Sequence, residues 1–186
     1  MVNQFLDKIL RWLRWHKVLP HIKDGDTVCD IGCGPHAEFL KNISSKMEKG
    51  IGLDKRVEEK KEENIETKKI LLENELPLAD NSVDRVAMLA VLEHLDNHLE
   101  LLKESKRILK PGGEILVTVP THFNKPLGEF LAFKLKIIEA EQYLDHKRYY
   151  NKKELRRDLE KTGFEIIHLD YWEFGMNLFA KAKKPK

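Results

Sequence analysis

The sequence is poor in the features that mark several protein classes. Cysteine occurs only twice, at Cys29 and Cys33, too rarely for a disulfide framework. No apolar run exceeds the seven residues from Val86 to Leu92, whereas a helical membrane span needs about 20. Arg11 and Arg14 interrupt the apolar residues near the start, so no signal-peptide core is visible. Neither charge sign dominates: 33 Lys plus Arg against 31 Asp plus Glu leave +2, which does not mark a dedicated nucleic-acid binder. Repeats and low-complexity linkers are also missing. What remains is a chain of 186 residues, 41% hydrophobic and 34% charged, with enough apolar material for a core. The expectation is a cytoplasmic protein of one domain, residues 1–186, with a basic N-terminal helical segment over 1–23.

Strand and helix signals then alternate. Thr27 to Ile31 reads as a strand, Ala37 to Lys46 as a helix, and Gly50 to Leu53 as a strand ending at Asp54. The Lys- and Glu-rich stretch Lys55 to Lys69 reads as a solvated helix with a loop, followed by a weak strand from Lys69 to Leu72. Asp84 to Ala90 is nearly all apolar, as suits a strand covered on both faces. Leu95 to Leu109 reads as a helix stopped by Pro111-Gly112-Gly113, and Glu114 to Val119 as the next strand. Residues 121–150 break the alternation and form a lid insertion, rich in residues such as Phe123, Phe130, Phe133 and Ile137. Asn151 with Glu154 predicts a capped helix ending at Gly163. Only Glu173-Phe174-Gly175 separates the last two strands, Phe164 to Trp172 and Met176 to Lys183, so they must form an antiparallel hairpin. The pattern predicts an α/β fold: a doubly wound, mostly parallel seven-stranded sheet with a C-terminal antiparallel β-hairpin.

The strongest local signal is Asp30-Ile31-Gly32-Cys33-Gly34-Pro35 at the end of the first strand. Two glycines allow positive φ and close approach of a ligand. Gly32, Gly34 and Ala37 satisfy the dinucleotide pattern, with Asp54 at the spacing of a ribose-binding acid. Asp30 favours a different ligand, an adenosyl group with a charged amino-acid end, because its carboxylate accepts from an ammonium or from loop N–H groups. Beside a pyrophosphate it would meet like charge.

Three further stretches accompany this loop: Leu76-Pro77-Leu78-Ala79-Asp80-Asn81-Ser82-Val83-Asp84, Leu92-Glu93-His94-Leu95 and Arg107-Ile108-Leu109-Lys110-Pro111-Gly112-Gly113. Together the four motifs resemble those of the class I S-adenosylmethionine-dependent methyltransferases, in particular a small single-domain group of type 11. The resemblance covers roughly residues 27–119 and resumes at the final helix and hairpin. It implies S-adenosylmethionine as cofactor, with S-adenosylhomocysteine as product. By the same resemblance Asp30, Gly32, Cys33 and Gly34 form the loop under the methionine part, Asp54 binds the ribose hydroxyls, and Lys55 lies against the adenine. Leu72 falls where an ungapped match puts the acid at the adenine edge, so Glu73 or Asn74 takes that place if the loop is one residue shorter. Leu89, Ala90 and His94 border the methionine pocket, and His36 replaces the usual third glycine.

The resemblance does not name the acceptor. His94, His122 and His146 are candidates for proton chemistry, since imidazole titrates near neutral pH. Cys29 and Cys33, spaced C-x-x-x-C without a second pair, do not predict a metal site. The apolar lid favours a small or lipid-like acceptor. The basic stretch 147–157 keeps RNA open, and protein is a further alternative. A non-catalytic S-adenosylmethionine-binding protein and an NAD-dependent oxidoreductase are the rivals from other classes.

Overall fold

The computed structural model of the chain describes residues 4–72, 75–123 and 146–186, and side chains from residue 8 onward. Its strands are β1 (Asp26–Ile31), β2 (Met47–Asp54), β3 (Lys60–Glu62), β4 (Ile65–Lys69), β5 (Val83–Leu89), β6 (Leu109–Pro120), β7 (Glu165–Trp172) and β8 (Asn177–Lys183). They form one sheet in the order β3-β4-β2-β1-β5-β6-β8-β7. The strands β4, β2, β1, β5 and β6 run parallel, while β8 pairs antiparallel with β6 on one side and with β7 on the other.

The period of two along each strand divides the core between two faces. Val28, Ala87, Leu116 and Phe179 share one face with Val18 of α1 (Gln4–Val18) and with Phe39 and Leu40 of α2 (Glu38–Asn42). Cys29, Val86, Met88, Ile115 and Val117 share the other with Leu101 and Leu102 of α3 (His98–Ile108) and with Leu155 and Leu159 of α4 (Lys152–Lys161). Asn151 caps α4 through the expected box: its Oδ1 accepts from the Glu154 N–H, and Glu154 Oε2 accepts from the Asn151 N–H. No described helix is long and apolar enough to cross a membrane.

The sheet departs from the expectation at its charged edge. Lys55 to Lys69 holds no helix. Strands β3 and β4 pair antiparallel there, giving an eighth strand, and β4 pairs with β2 through residues 65–69 rather than 69–72. Alternation decides this: Thr67 is buried, and its hydroxyl donates to the Glu58 carbonyl at 2.6 Å. The Asn64 amide donates to the Ser44 and Met47 carbonyls, fastening the turn. The Lys and Glu side chains are what an exposed edge strand carries. Two helices are also shorter than their patterns suggest. Ala37 adopts φ 47°, so α2 begins only at Glu38, and it ends at Asn42 before two serines. A 3-10 turn, Leu92–His94, and an extended Leu95 delay α3 to His98.

Two of the sequence motifs hold each other in place. Arg107 Nη1 donates to the Leu78 carbonyl at 2.8 Å and to Asp80 at 2.7 Å, and Nη2 donates to the Leu76 carbonyl at 3.0 Å and to Glu104 at 2.7 Å. Lys110 reaches Asp84 at 2.8 Å, and the same carboxylate accepts from the Thr27 N–H at 3.0 Å. A planar five-donor fork suits this set of acceptors in a way that an ammonium does not. Replacing Arg107 with Ala is expected to lower unfolding stability by on the order of 2–4 kcal/mol in urea titration, with Arg107→Lys recovering only part of it. An Arg107→Ala protein as stable as the parent would show that the loop before β5 holds itself.

Candidate active site

The carboxyl ends of β1, β2 and β5 meet at one edge, where open α/β sheets bind ligands. After β1 the chain turns through Gly32 (φ 78°) and Gly34 (φ 70°). A Cβ on Gly32 would lie 2.4 Å from Val91 Cγ2, so only glycine fits between the loop and the segment after β5. A Cβ on Gly34 would meet nothing within 4 Å, so the crest of the loop borders open space. The Gly32 and Cys33 N–H groups both donate to the Leu53 carbonyl, at 2.7 and 3.3 Å. His36 is absent from the positive-φ residues; the left-handed position falls one residue later, at Ala37.

Two carboxylates are buried beneath this loop. Asp54 accepts from the Gly34 N–H at 2.9 Å with one oxygen and from the Arg56 N–H at 2.7 Å with the other. Asp30 is only 2% exposed. Burial first, then the charge of Asp54, raises its pKa to about 7. Cys33 is half-buried, and burial pushes its thiol well above the usual range. Lys55 is exposed beside Asp54, while Glu73 and Asn74 lie outside the described residues. Leu89 and Ala90 are half-buried at the end of β5. Ala90 takes φ 60° and donates to the Thr118 carbonyl at 3.0 Å. Strain of this kind in a non-glycine residue gathers at functional sites.

The histidine candidates form a row. His94 and His146 have ring centroids 4.9 Å apart, and His146 and Tyr149 have theirs 5.3 Å apart. His122 stands 6.4 Å from the Tyr149 ring and bonds Glu154 at 2.9 Å, so it is drawn to the cap of α4. Glu93 was not among the candidates, although it lies within a recognised motif. It is 1% exposed, and burial raises its pKa to about 7 against the opposing effects of its own N–H and of Arg14. An acid among apolar neighbours just past a strand end is the signal that marks it.

The insertion lies largely outside the described residues, which resume at His146 after Phe123. Its two ends are stitched together: Thr121 bridges Tyr150, whose N–H donates to the Pro120 carbonyl at 3.0 Å. Beside them opens a cleft of about 460 Å³, lined by His122, Phe123, Tyr150, Tyr171 and Phe174. A second cleft, about 530 Å³, opens between Pro35–Ala37 and the β3–β4 turn, with Lys41, Glu58 and Glu63 on its charged rim.

The donor set suits a ligand that carries an ammonium and hydroxyls. Two adjacent buried carboxylates would repel a pyrophosphate, whereas each retains lone pairs for N–H or O–H donors. Comparison with known proteins gives a consistent picture. A family described as a methyltransferase domain matches residues 4–169. An uncharacterized protein of Methanocaldococcus jannaschii is 30% identical, over 94% of this chain and 74% of its own length. A protein of Mycolicibacterium smegmatis named as a probable S-adenosylmethionine-dependent methyltransferase is 30% identical, over 83% of this chain and 60% of its own length. Bacillus cereus proteins named demethylmenaquinone methyltransferase are 25% identical, over 94% and 85%. Among solved structures, a Haloferax volcanii protein in complex with a methyltransferase activator superposes with a TM-score of 0.74 at 21% identity, over 97% of this chain and 94% of that one.

A carboxyl raised from 3.8 to about 7 binds its proton more tightly in the folded chain than in the unfolded one. The stability that this proton contributes is present in acid and is lost as the pH rises through about 7. Asp30→Asn removes the titration. The variant is therefore expected to gain on the parent by ~2–3 kcal/mol between pH 5 and pH 8 in urea titrations. A stability difference that stays flat over that interval would show Asp30 ionised throughout.

Proposed function

This chain belongs to the class I S-adenosylmethionine-dependent methyltransferases, and from that premise we propose that it methylates a small, lipid-like acceptor seated in the aromatic cleft beside β6. S-adenosylmethionine supplies, when bound, a methyl group on a positively charged sulfur. Asp30 would face its ammonium directly or through the N–H groups of the Gly32–Gly34 loop. The lone pairs of Asp54 left over by Gly34 and Arg56 would accept from the ribose hydroxyls, and Lys55 would lie toward the adenine. Leu89, Ala90 and His94 would border the methionine end. A neutral leaving group asks for little acid–base help, so positioning and exclusion of water carry most of the rate. His122 lines this cleft, and it, His94 or His146 would receive a proton from an acceptor that has to lose one.

The observation that carries the acceptor class is the cleft itself. Phe123, Tyr150, Tyr171 and Phe174 give it an aromatic lining, and its volume suits a small ligand. Demethylmenaquinone, named for the Bacillus relatives, falls in this class. The basic stretch speaks less for RNA than its composition suggests. Lys147 pairs with Asp96, Lys152 with Asp170, Arg156 with Glu160 and Arg157 with Asp158. Neighbouring carboxylates thus already neutralise much of the charge that would track phosphates.

Calorimetry is expected to detect binding of S-adenosylmethionine and S-adenosylhomocysteine, and none of NAD or NADP. Asp54→Ala should weaken the first two by about 1.5–3 kcal/mol. It should also cost about 1 kcal/mol of stability, because the Gly34 and Arg56 N–H groups lose their acceptor. NAD binding without S-adenosylmethionine binding would overturn the cofactor assignment.

With methyl-labelled S-adenosylmethionine and a cell extract, the label should enter the solvent-extractable fraction. Label in RNA, with binding that falls steeply between roughly 50 and 200 mM salt, would overturn the small acceptor.

A further inference from the structure

We propose that Glu93, His94 and His146 form a binding site for one divalent transition-metal ion of the zinc type. One carboxylate oxygen of Glu93 and one ring nitrogen of each histidine lie within 4.8 Å of one another. Metal–nitrogen bonds of about 2.0–2.1 Å place tetrahedral ligand atoms roughly 3.3 Å apart. Binding would therefore draw these atoms closer, by up to roughly 1.5 Å.

A second observation points the same way. Glu93 is 1% exposed, and its Oε2 is buried without a hydrogen-bond partner. A buried carboxylate oxygen with no donor is costly unless a proton or a cation meets it. The backbone fixes the two halves of the cluster relative to each other, since the Lys147 N–H donates to the Glu93 carbonyl at 2.8 Å. Nδ1 of His146 stands 3.2 Å from the Tyr149 hydroxyl. With Nδ1–H donating to that hydroxyl, the imidazole would be oriented with its Nε2 lone pair available to the ion.

The donor set selects the ion. Two imidazoles and one carboxylate suit zinc, cobalt or manganese, whereas magnesium and calcium favour oxygen throughout. Three protein ligands leave a position for water or for an oxygen of the acceptor, whose pKa the ion would lower. Assigning that position to the acceptor rests on the methyl-transfer reading above; binding of the ion does not.

Calorimetry with Zn2+ and visible absorption with Co2+, on metal-stripped full-length protein, are expected to give one ion per chain. His146→Ala and Glu93→Gln should each weaken binding by about tenfold or more, and Tyr149→Phe by roughly 10–100-fold if it orients His146. The Tyr149→Phe arm keeps the test decisive should Glu93→Gln fail to fold. No uptake of either ion, or equal affinity in all three variants, would overturn the site. S-adenosylmethionine affinity measured alongside separates the two readings: ion binding without cofactor binding refutes only the methyl-transfer reading, and the reverse refutes only the ion.

Discussion

The site depends on one constraint, the insertion of the Gly32–Gly34 loop between the end of β2 and the segment that follows β5. On one side the Leu53 carbonyl and the Asp54 carboxylate receive three loop N–H groups. On the other, Val91 sits where any side chain on Gly32 would have to go. The loop is thereby held with its crest open, and two carboxylates are brought together beneath it. The fold accommodates the two acids because Asp54 has backbone donors and because burial and the Asp54 charge raise the Asp30 pKa to about 7, which favours its neutral form. A cationic ligand would relieve the same repulsion, so the feature that burdens the free protein favours the bound one.

The remaining motifs act at a distance from this loop. Arg107 and Lys110 touch no part of the site, yet they hold the chain on either side of the entry to β5, and β5 carries Leu89 and Ala90 to the site. A motif shared with a family thus divides into groups suited to meeting a ligand and groups that keep a strand in register. The paired lysines and arginines after His146 likewise have their partners in the chain itself.

Much of this was legible in the sequence for physical reasons. The nearly all-apolar stretch Asp84 to Ala90 suits a strand covered on both faces, and a three-residue connection permits only a hairpin. The capping box of Asn151 and Glu154 is local chemistry and forms as written. By contrast, the Lys- and Glu-rich stretch after Asp54 carries no strong periodicity of either kind. Its strands are fastened by Asn64, which reaches the Ser44 and Met47 carbonyls, and by Thr67, which closes onto the Glu58 carbonyl.

Outside the charged stretch after Asp54, sequence alone determined the order of strands and helices, the glycine turn, and the two acids placed around it, because each is set by neighbours a few residues away. Tertiary structure alone decided the rest. It buried Asp30 against Asp54, left Glu93 Oε2 without a donor, and brought His146 to His94 across an insertion. It also matched Lys147 with Asp96 of the segment before α3 and Lys152 with Asp170 of β7. Burial, proton affinity and charge pairing depend on which atoms surround a group, and those atoms come from elements far apart in the chain.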